Sequence, residues 1–145
     1  MNKLCHMLGG ALCAAMLFCA MTASAAPSRS YVMLSEETDT VTIANGAALS
    51  GTVDSGGMRL AALITPTTIT GTQLTLQSTL DGTTWFSVYD AAGNEYVITV
   101  GASRFIPLDP AATAGLKLFR LRSGTGVSPV NQGQSTTFTL YFRSF

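Results

Sequence analysis

Five carboxylates in the strand-rich part of the chain are candidates for general acid and base chemistry: Asp54, Asp81, Asp90, Glu95 and Asp109. Glycoside hydrolysis needs two such groups, held about 5 to 9.5 Å apart. Asp81 and Asp109 stand directly before a glycine and a proline, which is typical of turn residues. Asp90 and Glu95 bracket a polar loop, where solvated charge is expected. We therefore expect turns rather than catalysis, and no enzymatic activity.

Trp85 and Tyr89 could form a site for a sugar. Side chains alternate along a strand, so both rings lie on the same side of a strand over these residues. If exposed, they would give a stacking platform for a pyranose ring. If buried, Trp85 would be a core residue, since large aromatic residues dominate sandwich cores. The sequence favours the buried position for Trp85, the single tryptophan of the chain.

Three arginines could converge on an acidic ligand, because the guanidinium fork recognises carboxylates well. They are Arg104, Arg120 and Arg122. The alternative is that they cover the solvated side of strands whose apolar neighbours are buried: Phe105, Phe119 and Leu121. The alternation favours this surface role, or a role in intersubunit salt bridges.

An acidic segment precedes the first predicted strand. Glu36, Glu37 and Asp39 could bind a hard cation such as calcium, but their spacing does not resemble a calcium loop. A solvated arm over residues 26–39 is favoured instead, and neither a metal site nor a cofactor is predicted. The arm carries an apolar patch from Tyr31 to Leu34 that has no evident place in a single sandwich. We therefore expect this patch to contact a partner.

Residues 1–25 have the features of an export signal. Lys3 supplies a positive start, and Leu4–Met21 is almost continuously apolar or small. Ala23-Ser24-Ala25 fits a cleavage site that would separate Ala25 from Ala26. Retention as a membrane anchor is the alternative, but about 18 residues interrupted by two glycines are marginal for spanning a bilayer. The expectation is an exported protein, periplasmic or secreted, without stable membrane insertion after cleavage.

Every cysteine and the single histidine lie inside this signal segment, at Cys5, Cys13, Cys19 and His6. Cleavage would therefore exclude Cys–His and Ser–His catalysis, thiol redox chemistry, structural zinc and histidine-bound metals. It would also leave seven basic against eight acidic residues, without a basic cluster. The electrostatic footprint of nucleic-acid binding is absent, so no nucleic-acid partner is expected.

Residues 40–145 predict an all-β domain, an antiparallel β-sandwich. Stretches rich in threonine and other β-branched residues recur between glycines, prolines and Asp-Gly pairs, which are typical of turns. The apolar residues do not repeat with the period of a helix. The nine candidate strands are Thr40–Ala44, Leu49–Val53, Met58–Thr65, Thr72–Leu80, Thr84–Tyr89, Glu95–Val100, Arg104–Leu108, Leu116–Arg122 and Thr136–Phe142. The clearest hairpin signal is Asp81-Gly82. A long polar loop, Ser123–Gly133, precedes the last strand, and loops of this length often bind a partner.

Alternation within the strands separates core-facing from solvent-facing positions. In the fourth strand the leucines are expected to face the core: Leu74, Leu76 and Leu80. The polar residues between them are expected to face water: Thr75, Gln77 and Thr79. We predict that the strand around Phe119 and Leu121 packs against this strand.

Several short motifs resemble known families. The segment Leu76–Trp85 with its Asp-Gly hairpin, followed by Ala102–Leu108, resembles galactose-binding-like jelly rolls of the discoidin type. From about Thr40 to Phe142 the order of the motifs resembles small tailed-phage structural proteins. The motifs are Ile43–Ala47, Ser50–Gly57, Tyr89–Glu95 and Phe119–Thr125. The second resemblance implies a jelly-roll module of a virion, such as a capsid decoration or head-fibre domain.

Two functions are expected from these patterns. The resemblance to phage proteins implies a non-enzymatic virion protein whose partner is the capsid or a second copy of the chain. The arm and the Ser123–Gly133 loop would then mediate assembly. An export signal favours instead a secreted or periplasmic protein, unless the start codon is wrongly chosen. For such a protein the discoidin-type resemblance implies a carbohydrate-binding module. Because the one tryptophan is expected to be buried, the sequence favours protein contact over glycan binding.

Overall fold

The computed structural model of the protein describes residues 35–144. The predicted cleavage site between Ala25 and Ala26 lies outside the described residues, as do Tyr31 and Leu34 of the apolar patch. No helix among residues 35–144 has the length and apolar character that crossing a bilayer would demand.

Within residues 35–144 the chain forms nine strands and one short helix. They are, in order, β1 Glu36–Ile43, β2 Val53–Asp54, β3 Arg59–Ile64, β4 Gln73–Thr79, β5 Phe86–Ser87, β6 Val97–Thr99, β7 Phe105–Pro107, α1 Pro110–Thr113, β8 Leu118–Ser123 and β9 Thr136–Arg143. The strand pairs of this range are antiparallel. The all-β prediction is therefore confirmed.

The strands form two sheets with the connectivity of a jelly roll. The first sheet has the order β1-β9-β3-β7. The second sheet has the order β2-β8-β4-β5, and β6 also pairs with β4. Most successive strands alternate between the two sheets, which produces the two Greek keys of a jelly roll. The predicted antiparallel β-sandwich is confirmed by this arrangement.

The core lies between the two sheets, and alternation along each strand determines which residues enter it. Phe119 and Leu121 of β8 are fully buried, as are Leu74 and Leu76 of β4. Leu121 lies opposite Leu76 in the register of these two strands, which are neighbours in one sheet. From the other sheet the ring of Phe142 approaches that of Phe119, with 6.3 Å between the ring centroids. The two strands are adjacent, but they meet by pairing within one sheet, and the residue that packs on Phe119 across the core comes from β9.

Some side chains differ from the alternation-based predictions. Thr75 and Thr79 are buried rather than solvated, and the Thr75 hydroxyl donates to the carbonyl of Gly124 in the long loop. Leu80 is 91% exposed because β4 ends at the preceding residue, so Leu80 lies in the hairpin. Phe105 is 60% exposed on the outer face of the first sheet. The loop that covers Thr75 and the end of β4 before Leu80 explain two of these exceptions.

The first strand begins at Glu36 rather than at Thr40. Its early residues pair with the end of β9, where Glu36 lies opposite Arg143 and forms an ion pair of 3.0 Å with it. The acidic segment interpreted as an arm is therefore a strand from Glu36 onward. It lies at a sheet edge, where charged side chains discourage pairing with another chain.

Other elements also differ from the predicted boundaries, and the strands predicted over Thr84–Tyr89 and Glu95–Val100 are shortened to β5 and β6. The strand predicted over Leu49–Val53 is reduced to the short β2 and two isolated bridges at Leu49 and Ser50. The helical turn α1 was not predicted, although its signal is present. Asp109 caps it by accepting the backbone N–H of Ala111 at 2.9 Å, and a proline occupies the start of the turn.

Candidate functional site

The outer face of the second sheet carries an open cleft of about 990 Å³. The strand register produces it, because Arg120 of β8 lies opposite Gln77 of β4, and Gln77 lies opposite Ser87 of β5. These three side chains share the face that points away from the core and line the cleft. Tyr89 continues the row beyond β5, and the loop that follows β8 forms the opposite wall with Val127.

Arg120 is held at this face by two contacts. Its guanidinium carbon lies 4.1 Å from the centroid of the Trp85 ring, within the range of a cation–π interaction. Its Nε donates to Oε1 of Gln77 at 2.8 Å. Partial burial, and then the positive charge of Arg122, lower the pKa of Arg120 from its ordinary value. The Trp85 ring and the Gln77 amide thus fix the guanidinium at the surface of the sheet.

Arg122, on the same face of β8, is neutralised within the chain. Its Nη1 lies 3.3 Å from Oε1 of Glu95, and both side chains are mostly buried. Its Nη2 donates to the Ser87 hydroxyl at 2.9 Å. Glu95 also accepts the backbone N–H of Gly126 at 2.8 Å. Arg122 therefore connects β8 to β5 through Ser87, and Glu95 connects Arg122 to the loop that forms the cleft wall.

Gln132 anchors that loop from beneath, and sequence analysis missed it. The residue is 1% exposed, and its side chain makes four hydrogen bonds. Its Nε2 donates to the carbonyl of Thr70 at 2.8 Å and to the hydroxyl of Ser123 at 2.7 Å. Its Oε1 accepts the backbone N–H of Thr70 at 2.9 Å and the hydroxyl of Thr136 at 3.1 Å. No local pattern distinguishes this glutamine from the exposed polar residues around it.

The loop also depends on glycine at its first position. Gly124 has a φ of +81°, a backbone conformation that side-chain-bearing residues rarely adopt. A Cβ at this position would collide with the carbonyl oxygen of Ser128. The turn directly after β8 therefore requires glycine, and it directs the chain back over the outer face of the sheet.

The structure brings four of the predicted candidate residues to this face: Trp85, Tyr89, Arg120 and Arg122. Arg104 is exposed just before β7 in the first sheet, so the three arginines do not converge. Trp85 is half-buried at the sheet surface rather than in the core, because it follows the Asp81 hairpin on the outward side and stacks on Arg120. Tyr89 is 58% exposed.

The predicted turn carboxylates form turns. Asp81 accepts the backbone N–H groups of Thr84 at 2.7 Å and Thr83 at 2.8 Å, and these bonds hold the pKa of Asp81 well below its usual range. The backbone N–H of Asn94 likewise lowers the pKa of Asp90. Among residues 35–144 no three Asp, Glu, His or Cys side chains gather as a metal site would need.

Comparison with known proteins gives little further information. No protein-family model matches the chain, and no curated protein matches it. The chain is similar to the SPBc2 prophage-derived protein YomS, known from a crystal structure, with a TM-score of 0.46 and 11% sequence identity. The similarity covers 76% of this chain and 96% of YomS. A likeness of this size carries no argument about function, and it gives no support to the discoidin-type resemblance.

Proposed function

We propose that this protein is a non-enzymatic interaction module that docks on a protein partner through the cleft of the second sheet. The observation that carries this proposal is the gathering of Trp85, Tyr89 and Arg120 on one accessible face. Tryptophan, tyrosine and arginine are the residue types that dominate binding energy at protein interfaces. Val127, 97% exposed on the loop wall, adds an apolar contact beside them.

The specific form of this proposal is an accessory protein of a phage virion, such as a capsid decoration or head-fibre-like protein. Its support is the motif resemblance from Thr40 to Phe142 together with the jelly-roll connectivity, which viral capsid proteins and lectins both use. The partner would then be the capsid or a second copy of the chain. Since one fold serves many functions, the cleft must be tested directly.

Particle association tests the proposal. The full protein, expressed from its own gene, should co-sediment with virions in a density gradient, and Tyr89→Ala should reduce the bound amount. The matched control is Phe105→Ala, which removes a ring of similar exposure from the opposite sheet. A protein absent from particles would contradict the virion role. Loss of association in Phe105→Ala alone would place the docking face on the first sheet.

Export is a separate part of the proposal, and mass spectrometry of the native protein tests it. If the signal is used, the N-terminal residue should be Ala26, and the protein should be found outside the cytoplasm. Protein in assembled particles that retains Met1 would contradict export, and it would leave the virion role standing.

A secreted or periplasmic carbohydrate-binding module is the second candidate, because an exposed ring lies beside amide side chains. Tyr89 is available for stacking, while Gln77 and Asn131 line the same cleft. A glycan array with the wild type, Tyr89→Ala and Trp85→Ala separates the two candidates. A monomer that binds one sugar class, and loses it in folded ring variants, would replace the protein-docking proposal. Turnover of a glycoside would contradict the non-enzymatic role.

A further inference from the structure

We infer that the cleft binds an acidic segment of a protein partner, with a carboxylate of that segment held by Arg120. The inference rests on the proposed docking function and adds the chemistry of the partner. Its starting point is that Arg120 and Arg122 lie side by side on the outer face of β8, and one of them is neutralised.

The charges of the cleft do not balance. Arg122 has Glu95 as its partner, at 3.3 Å. Arg120 contacts the neutral amide of Gln77 and the ring of Trp85, and no carboxylate within residues 35–144 pairs with it. The charged residues that line the cleft are Glu95, Arg120 and Arg122, so its net charge is positive.

The guanidinium of Arg120 is also preorganised to bind a carboxylate. The Trp85 ring and the Gln77 bond hold the guanidinium plane, so less side-chain entropy is lost when a ligand binds. Gln77 accepts a hydrogen bond from Nε of Arg120, so the two Nη groups of Arg120 are left as donors for a ligand. Charge-assisted bonds of this kind are the strong ones in protein recognition. An incoming carboxylate would supply the anionic partner that Arg120 lacks within residues 35–144.

The surroundings of Arg120 favour a peptide as the source of the carboxylate. Leu49, Val127 and Pro129 line the cleft with apolar surface, and Tyr89 extends it with an exposed ring. A segment that alternates acidic and apolar residues could place one carboxylate at Arg120 and its apolar side chains against this lining. Complementary charge would give the contact its specificity and its encounter rate.

The test uses the full protein and its own fluorophore, because the single tryptophan lies under Arg120. The probes are an end-blocked hexapeptide of alternating glutamate and leucine, its glutamine–leucine counterpart, and oligogalacturonate as an acidic sugar. The acidic peptide should change Trp85 fluorescence saturably, and added salt should weaken its binding. The glutamine peptide should bind at least about tenfold more weakly.

Matched variants assign the effect to Arg120. Arg120→Gln should weaken binding of the acidic peptide by about tenfold or more, because a charge-assisted contact is lost. Arg104→Gln removes the same charge from an exposed position on the first sheet and should leave binding unchanged. Arg120→Lys keeps the charge without the fork and should bind with intermediate affinity. Thermal unfolding of each variant checks that it is folded. If Arg120→Gln does not fold, the comparison is made with Arg120→Lys instead.

Several results would overturn the inference. Equal weakening by Arg104→Gln and Arg120→Gln would mean that the peptide senses general charge. Binding of oligogalacturonate that depends on Arg120, without binding of the acidic peptide, would assign the site to an acidic sugar. If no probe binds while Tyr89→Ala still releases the protein from particles, the acidic segment is wrong and the docking proposal survives.

Discussion

Replacement of Gln132 by methionine should destabilise the protein by about 2–4 kcal/mol, because four buried or part-buried hydrogen bonds are lost. Methionine has a similar volume, so no large cavity forms. The hydroxyl of Thr136 keeps an acceptor in the carbonyl of Gln134 at 3.0 Å. The buried hydroxyl of Ser123 loses its donor, and such a group costs about 1–3 kcal/mol where water cannot reach it. Thr70 is an exposed residue, so its N–H and carbonyl regain part of their hydrogen bonding from water.

Urea unfolding followed by Trp85 fluorescence and circular dichroism measures this change. The matched control is Gln134→Met, an exposed glutamine in the same loop region, which should shift the free energy of unfolding by less than about 0.5 kcal/mol. The slope with urea should stay unchanged, since the surface exposed on unfolding is nearly the same. Equal midpoints for the two variants would show that the Gln132 bonds contribute no net stability.

Three further predictions concern the core, the cleft wall and acid stability. Phe119→Ala should cost about 3–5 kcal/mol in the same assay, and an unchanged midpoint would contradict its core position. Glu95→Gln should cost about 1–3 kcal/mol by leaving Arg122 without its anion, and hydrogen exchange at Gly126 should become faster. The lowered pKa of Asp81 gives stability that is lost as pH falls below about 4, so Asp81→Asn should flatten that acid dependence of the unfolding midpoint.

The sandwich could be predicted from the sequence because its core depends on a local pattern. Leu76 and Leu121 alternate with polar residues, and both face the core as predicted. The same alternation gives wrong burial predictions where a loop covers the outer face of a sheet or where that face stays uncovered. Thr75 is covered by the loop after β8, and Phe105 lies on an outer face that no other described element covers. The residues next to Thr75 and Phe105 in the sequence do not show which path the loop takes or which outer face stays uncovered.

The candidate site was predicted in separate parts. The sequence places Trp85 with Tyr89 on one strand and Arg120 with Arg122 on another. Their meeting depends on β4, which lies between β5 and β8 and brings the two rows to one face. Long-range strand pairing of this kind has no signature in a single sequence. The same reason explains why Gln132 was missed, since its four hydrogen-bond partners come from three separated parts of the chain.

The two outer faces of the jelly roll hold their polar side chains in different ways. On the first sheet, Thr42 and Thr137 of neighbouring strands bond to each other at 2.8 Å. On the second sheet, Arg120 keeps a partly desolvated charge that no carboxylate of residues 35–144 neutralises. The Trp85 ring and the Gln77 amide hold this charge in place, and they leave its Nη groups for a further acceptor. A guanidinium held in this way is suited to recognising a carboxylate of a partner. Together with the gathering of Trp85 and Tyr89 on the same face, this available guanidinium is the reason for proposing the second sheet as the docking face.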